Sequence, residues 1–225
     1  MYENSNILAV IPARGGSKRI PGKNVKILGD KPLISWTIEA AQQSSFIDKL
    51  ILSTDDASIA EIAMEYGCEV PFMRPRNLAT DDARSEEVAF HALEALGDEY
   101  YDYMILLQPT SPFRSSEDID RAVEVCLSEG YSSLVSTRSV RENPSWMYTS
   151  DGRKLLSLAE HLEHIVHRPW QILNGAIYLF NVLWFMKSKT FIDDQTYLYP
   201  MPWERSVDVD TAEDWAWAEF LKRHL

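Results

Sequence analysis

The chain has 225 residues, 45% of them hydrophobic and 25% charged, which fits one globular domain because single cores stop growing near about 250–300 residues. Its formal net charge of −12 argues against a general nucleic-acid or anionic-membrane surface, since both partners are polyanions. Cys68 and Cys126 lie far apart and form no Cys-x-x-Cys pair, so they read as buried free thiols in a reducing compartment rather than a disulfide framework. Met1 to Asn6 carries Glu3 and no Lys or Arg, and the apolar stretch after it stops at Pro12, so no secretory signal is expected. No stretch approaches the roughly 18 uninterrupted apolar residues of a membrane helix, and the plain expectation is a soluble, cytoplasmic protein.

In chain order, the apolar, branched run Ile7 to Ile11, bounded by Pro12, predicts a buried first strand. A polar loop with several glycines follows. Leu33, Ile34, Ile38 and Ala41 at helical spacing predict a helix over Pro32 to Ser44, and Lys49 to Thr54 reads as a second strand ending in Asp55-Asp56. Then come a helix over Ala57 to Tyr66 stopped by Gly67, a strand near Glu69 to Met73, a helix from Ser85 to Leu96 and a strand from Tyr103 to Leu107. A helix from Glu117 to Ser128, a strand over Ser132 to Thr137, a stretch without clear pattern from Val140 to Leu173, a strand over Ala176 to Phe180 and a helix from Thr211 complete the reading. This alternation predicts a single α/β domain with a mostly parallel sheet covered by helices on both faces, a Rossmann-like arrangement. In such sheets ligands gather at the carboxyl ends of the strands.

The loop past the first strand, Pro12 to Asn24, breaks the acidic character of the chain. Between Asn4 and Gly29 there is no Asp or Glu, while Arg14, Lys18, Arg19, Lys23 and Lys26 all fall there. Gly15, Gly16 and Gly22 let backbone N–H groups approach phosphate oxygens, and the cations supply the charge a triphosphate must meet. The pattern is neither a Walker loop nor a G-x-G-x-x-G turn. At the other end, Asp208 and Asp210 alternate across Val209. An extended backbone would turn both carboxylates to one side as ligands for a hard divalent cation, or Asp210 would simply cap the following helix. Gln108 to Arg114 is a proline-stiffened turn with polar tips at Gln108, Thr110, Ser111 and Arg114. Gly175, after Asn174, marks either close approach of a ligand or a bulge. His161, His164 and His167 recur at three-residue steps, without the further ligand that structural zinc needs.

The segment Ile11 to Asn24, Ile-Pro-Ala-Arg-Gly-Gly-Ser-Lys-Arg-Ile-Pro-Gly-Lys-Asn, resembles the first signature of the acylneuraminate cytidylyltransferases, the CMP-sialic acid synthetase family. Arg74-Pro75 with Leu78-Ala79-Thr80-Asp81 and Ser85, Leu107 to Arg114, Asn174 to Tyr178, and Val207 to Thr211 match in order, so the resemblance spans nearly the whole chain. It implies CTP, Mg²⁺ and an acidic nine-carbon sugar as partners, in a homodimer whose arm falls within Val140 to Leu173, where the three histidines lie. Nucleotide contacts are assigned to Ala13, Arg14, Gly15, Lys18, Lys23, Asn24, Arg74 and Ser85. The metal is assigned to Asp208 and Asp210, and the sugar to Gln108, Thr110, Ser111, Asn174 and Tyr178. Arg14, Lys23 and Asp210 carry the catalytic expectation: in-line attack of the anomeric hydroxyl on the α-phosphorus with loss of pyrophosphate, which needs positioning and charge rather than a covalent nucleophile.

One departure stands out. Many members place Arg-Pro immediately before Asn-Gly-Ala-Ile-Tyr, and this chain has Ile172 and Leu173. The arginine that would clamp the sugar carboxylate bidentately is absent from that place, leaving Arg168 as a candidate substitute. The competing readings are a cytidylyltransferase for the eight-carbon acid KDO, a nucleotidyltransferase acting on a sugar phosphate, and a non-catalytic CTP sensor. Lys18 and Lys23-Asn24 favour the nine-carbon branch, within which sialic, legionaminic and pseudaminic acids all stay open.

Overall fold

A computed structural model describes residues 5–143, 146–150, 152–157 and 169–224 of the chain. Strand β1 (Ile7–Pro12) is apolar throughout because both its faces are covered: Ile7, Ala9 and Ile11 enter one core cluster, and Leu8 and Val10 enter another. A small hairpin, β2 (Ile27–Leu28) and β3 (Lys31–Pro32), precedes β4 (Lys49–Ser53) and β5 (Tyr103–Leu106). Then come β6 (Ser133–Ser139), a second hairpin of β7 (Tyr148–Ser150) and β8 (Leu155–Ser157), and finally β9 (Gln171–Asn181) and β10 (Tyr197–Pro200). Six strands form one sheet in the order β10-β6-β9-β5-β1-β4.

The helices are α1 (Leu33–Gln42), α2 (Ala57–Glu65), α3 (Ser85–Leu96), α4 (Ser116–Glu129), α5 (Val182–Ser188) and α6 (Ala212–His224). Helices α1, α2 and α4 cover one face of the sheet through Ile34, Ile38, Ile59, Ile119 and Val123. Helices α3 and α5 cover the other through Ala89, Ala92 and Phe185. Their ends follow local chemistry. Asp56 caps α2 by accepting N–H bonds from Ser58 and Ile59, a reciprocal Ser115–Asp118 box opens α4, and Gly130 closes α4 in the left-handed region at φ 70°.

The sheet is mostly parallel: β5, β1 and β4 run together, as do β6 and β10. Strand β9 departs from the simplest expectation by running antiparallel to both β5 and β6. Because β6 and β9 are antiparallel, β9 starts at the carboxyl end of β6; the described residues between them hold no α-helix. The strand expected near Glu69 to Met73 shrinks to two isolated bridges, Ile51 to Glu69 and Thr54 to Met73. Strand β10 and helix α5 carry no counterpart in the sequence reading. Both cysteines are buried and unpaired.

A third core cluster decides where the site forms. Ile20 from the basic loop, Leu28 and Leu33 pack with Val207, Val209, Trp215, Ala218 and Leu221. Burying these side chains pins α6 and the segment before it beside the end of β1, which brings widely separated parts of the sequence together.

Candidate active site

An open cleft of about 710 Å³ lies at the carboxyl edge of β1, β4 and β5. Its lining includes Arg14, Lys18 and Lys23 from the basic loop, Gln108 and Thr110, and Asp208 and Asp210. Lys23 is almost wholly covered, and its Nζ donates to Asp210 Oδ1 at 2.7 Å and to the Val209 carbonyl at 3.0 Å. Arg19 reaches the other Asp210 oxygen at 3.4 Å. Across the mouth, Asp81 accepts Arg14 Nη2 at 2.8 Å and Lys18 Nζ at 2.5 Å.

Asp210 does not cap α6. Thr211 does, with Asp214 accepting from the backbone N–H groups of Asp210 and Thr211 and from the Thr211 hydroxyl, while the Asp214 N–H returns to Thr211 Oγ1. The Asp210 carboxylate is therefore left facing the cleft. Asp208 lines the cleft beside it, held in place as the Val209 N–H donates to the Thr110 carbonyl at 2.8 Å. Crowding by surrounding protein raises the Asp208 carboxyl above the ordinary range, Asp210 adds to the rise, and a hydrogen bond from Thr110 opposes it. Two neighbouring carboxylates open to a cleft fit a hard divalent cation whose remaining ligands are phosphate oxygens and water. Among the described residues, no group of three or more His, Cys, Asp or Glu side chains is placed to hold a metal ion.

Gly15 and Gly175 are both tightly constrained by side chains from other loops. The Gly15 N–H is already donated to Asp55 Oδ1 at 3.0 Å, and a Cβ on Gly15 would collide with the Asp56 carboxylate. Gly15 is thus required by two aspartates at the end of β4, which brace the basic loop. Gly175 has φ 74°, and a Cβ there would lie 2.5 Å from Gln108 Oε1. A register shift between β6 and β9 at Val135 and Thr137 accompanies it, as the bulge reading expected, and the near neighbour is the Gln108 side chain.

Several expected residues lie behind the cleft wall rather than on it. Ala13 is buried and its N–H pairs with the Ser53 carbonyl. Ser111 is buried. Asn174 is 3% exposed and bonds Ser136 Oγ, Ser206 Oγ and the Thr137 carbonyl, tying β6 to β9. Asn24 does line the cleft, although only 6% exposed, and its Nδ2 donates to the Arg14 carbonyl at 3.0 Å, shaping the basic loop. Arg114 turns inward, donating to the Ala176 and Gln108 carbonyls; burial pushes its guanidinium down to about 9, still a cation at neutral pH. Arg74 lines the cleft, but its donors are engaged by Ser53 and the Leu78 carbonyl, and burial brings it down to about 10. Ser85 and Tyr178 line the cleft as expected, while Arg168 and His161, His164 and His167 lie outside the described residues. Sequence reasoning named Asp55, Asp56 and Asp81 but gave them no part in the site, because their pairing depends on tertiary placement. Leu173, which the sequence marked only as standing where an Arg-Pro pair was expected, lines the cleft.

Residues 8–167 match the family model described as cytidylyltransferase. The chain is 41% identical to the CMP-N,N′-diacetyllegionaminic acid synthase of Legionella pneumophila, over 96% of this chain and 95% of that protein. It is 33% identical to the pseudaminic acid cytidylyltransferase of Campylobacter jejuni, over 95% of each. It is 38% identical to the N-acylneuraminate cytidylyltransferase of Escherichia coli over 93% of this chain, which spans 50% of that relative. The fold superposes on a CMP:2-keto-3-deoxy-manno-octonic acid synthetase complexed with CTP at TM-score 0.71 and 18% identity, covering 98% of this chain and 99% of that one. It also superposes on a 4-diphosphocytidyl-2C-methyl-D-erythritol synthase from Anaerococcus prevotii at TM-score 0.68 and 14% identity, covering 99% and 98%. The two structures speak to fold; the family match and the relatives above 30% identity speak to descent, and on them the chain belongs to the cytidylyltransferase family.

Proposed function

We propose that the protein transfers CMP from CTP to the anomeric hydroxyl of an acidic nine-carbon sugar of the sialic, legionaminic or pseudaminic type, releasing pyrophosphate. The observation that carries this reading is the meeting of basic loop and carboxylate pair in one cleft, with Lys23 2.7 Å from Asp210. Relatives named for nine-carbon acids share 33–41% identity with the chain, against 18% for the octonic acid synthetase.

In this reading the triphosphate lies along Arg14, Lys18 and Lys23, and the base end reaches toward Arg74 and Ser85. The sugar enters beside Gln108, Thr110, Gly175 and Tyr178. Its hydroxyl oxygen bonds to the α-phosphorus as the bond from that phosphorus to the pyrophosphate oxygen breaks, and the hydroxyl proton passes to solvent. Asp208 and Asp210 would hold Mg²⁺, which when bound draws negative charge from the phosphate oxygens. Lys23 and the Thr110 contacts fix the two carboxylates before substrate arrives, so little reorganisation is left for the reacting complex. A cytoplasmic homodimer that uses residues 140–173 as its arm belongs to the same proposal. Exposed Trp146, Tyr148 and Ile172 support the arm, and no helix among the described residues is long and apolar enough to cross a membrane.

A pyrophosphate-release assay with CTP, Mg²⁺ and a panel of eight- and nine-carbon acids tests it. The expected result is turnover with at least one nine-carbon acid, lost by at least about a hundredfold in Arg14→Ala and Asp210→Ala with melting unchanged. CTP binding with no turnover on any acid would overturn the enzymatic reading in favour of a sensor, and near-normal turnover in either variant would overturn the site assignment.

A further inference from the structure

We infer that Asp81 is a resident counter-ion that competes with polyphosphate for Arg14 and Lys18 and so promotes departure of the pyrophosphate product. The inference rests on the proposed reaction and deepens it. Asp81 sits in the loop between the 3-10 turn Arg76–Leu78 and α3, on the mouth of the cleft. Its two oxygens are divided between two cations, 2.8 Å to Arg14 and 2.5 Å to Lys18, so it engages the same donors that phosphate oxygens would use. Both cations come from the basic loop, and both line the cleft.

Asp81 differs from the other carboxylate in this region. Asp210 also pairs with loop cations, but it belongs to the pair assigned to the metal; Asp81 has no such second duty. It is well exposed, and hydrogen bonds from Lys18 and Arg14 hold its carboxyl below the ordinary range, so it is ionised at neutral pH. Any ligand whose phosphates need Arg14 and Lys18 must first displace it. Apparent affinity for such ligands falls by the fraction of molecules in which Asp81 has let go. After transfer, the same carboxylate is the nearest anion able to reclaim both cations, and pyrophosphate meets a competitor that is never diluted. Two exposed pairs of this kind are together worth about three- to tenfold in an equilibrium.

The test compares Asp81→Asn and Asp81→Glu with the unaltered protein. Dissociation constants for CTP, pyrophosphate and cytidine are measured by calorimetry, and pyrophosphate inhibition by turnover. The expected result for Asp81→Asn is about three- to tenfold tighter binding of CTP and pyrophosphate, an inhibition constant lowered by the same factor, and unchanged cytidine binding. Asp81→Glu restores the weaker binding, and the gap narrows at high salt because exposed pairs are screened. Unchanged or weaker polyphosphate binding in Asp81→Asn overturns the inference, the weaker case making Asp81 a positioning residue for Arg14. Failure of CTP to bind the unaltered protein would instead overturn the proposed function.

Discussion

Replacing Gly175 by alanine tests how tightly the cleft is built. The residue sits at φ 74°, where an L side chain costs about 1–2 kcal/mol from its own backbone. The new Cβ would also stand 2.5 Å from Gln108 Oε1, closer than carbon and oxygen tolerate, so one of them must move. Gln108 is the softer partner, since its amide is the far end of a flexible side chain, although its backbone carbonyl is gripped by Arg114. The sum is about 2 kcal/mol, and at about 2–4 °C per kcal/mol for a chain of this size the melting point should fall by about 4–8 °C. Because the displaced amide lies on the proposed sugar side, KM for the acid should rise severalfold while KM for CTP stays within about twofold. Thermal melts and steady-state pyrophosphate release read both. A Gly175→Ala, Gln108→Ala double variant separates the parts: removing the amide should recover the steric share and leave the backbone share. Wild-type melting and wild-type KM for the acid in Gly175→Ala would refute the reasoning, since neither strain nor collision would then exist.

Ile20→Ala removes the side chain that anchors the basic loop in the third core cluster; a loss of about 2–4 kcal/mol by chemical denaturation is expected, with a raised KM for CTP. Arg205→Ala strips the paired hydrogen bonds at 2.8 and 3.0 Å from buried Asp118, and a loss of about 1–3 kcal/mol is expected, partly restored by Arg205→Lys. Burial pushes the thiols of Cys68 and Cys126 up to about 12, so thiolate is scarce at pH 8 and labelling by a thiol reagent should run at least about a hundredfold slower in the folded protein than in the unfolded one. Labelling at equal rates would contradict the burial of both.

What the sequence revealed was what local chemistry controls. The run Ile7 to Ile11 read as a buried strand and is one, and the basic loop after it stands at the sheet edge where ligands collect. Spacing exposed the Asp208 and Asp210 pair, and the Thr211 and Asp214 box, three residues apart, was written in the chain although it went unread. Direction was not legible: the pattern of Ala176 to Phe180 fits either orientation, and β9 runs antiparallel to both its neighbours. Strand β10, at the sheet edge, alternates half-buried Tyr197 and Tyr199 with exposed Leu198 and Pro200, too short and mixed a signal to stand out. The partners of Gly15, Arg14 and Lys18 are aspartates from other loops, and no local pattern announces such pairs.

The cleft is assembled from parts 187 residues apart along the chain, joined at Lys23 and Asp210 and backed by the apolar cluster around Val209 and Trp215. A ligand bridging those parts acts as a second clasp, so its binding energy adds to whatever keeps α6 docked. Nucleotide occupancy and the local stability of the C-terminal helix therefore rise together. Backbone amides of residues 212–224 should exchange with solvent more slowly in saturating CTP, and an exchange pattern indifferent to CTP would mean that the helix is held by the core alone.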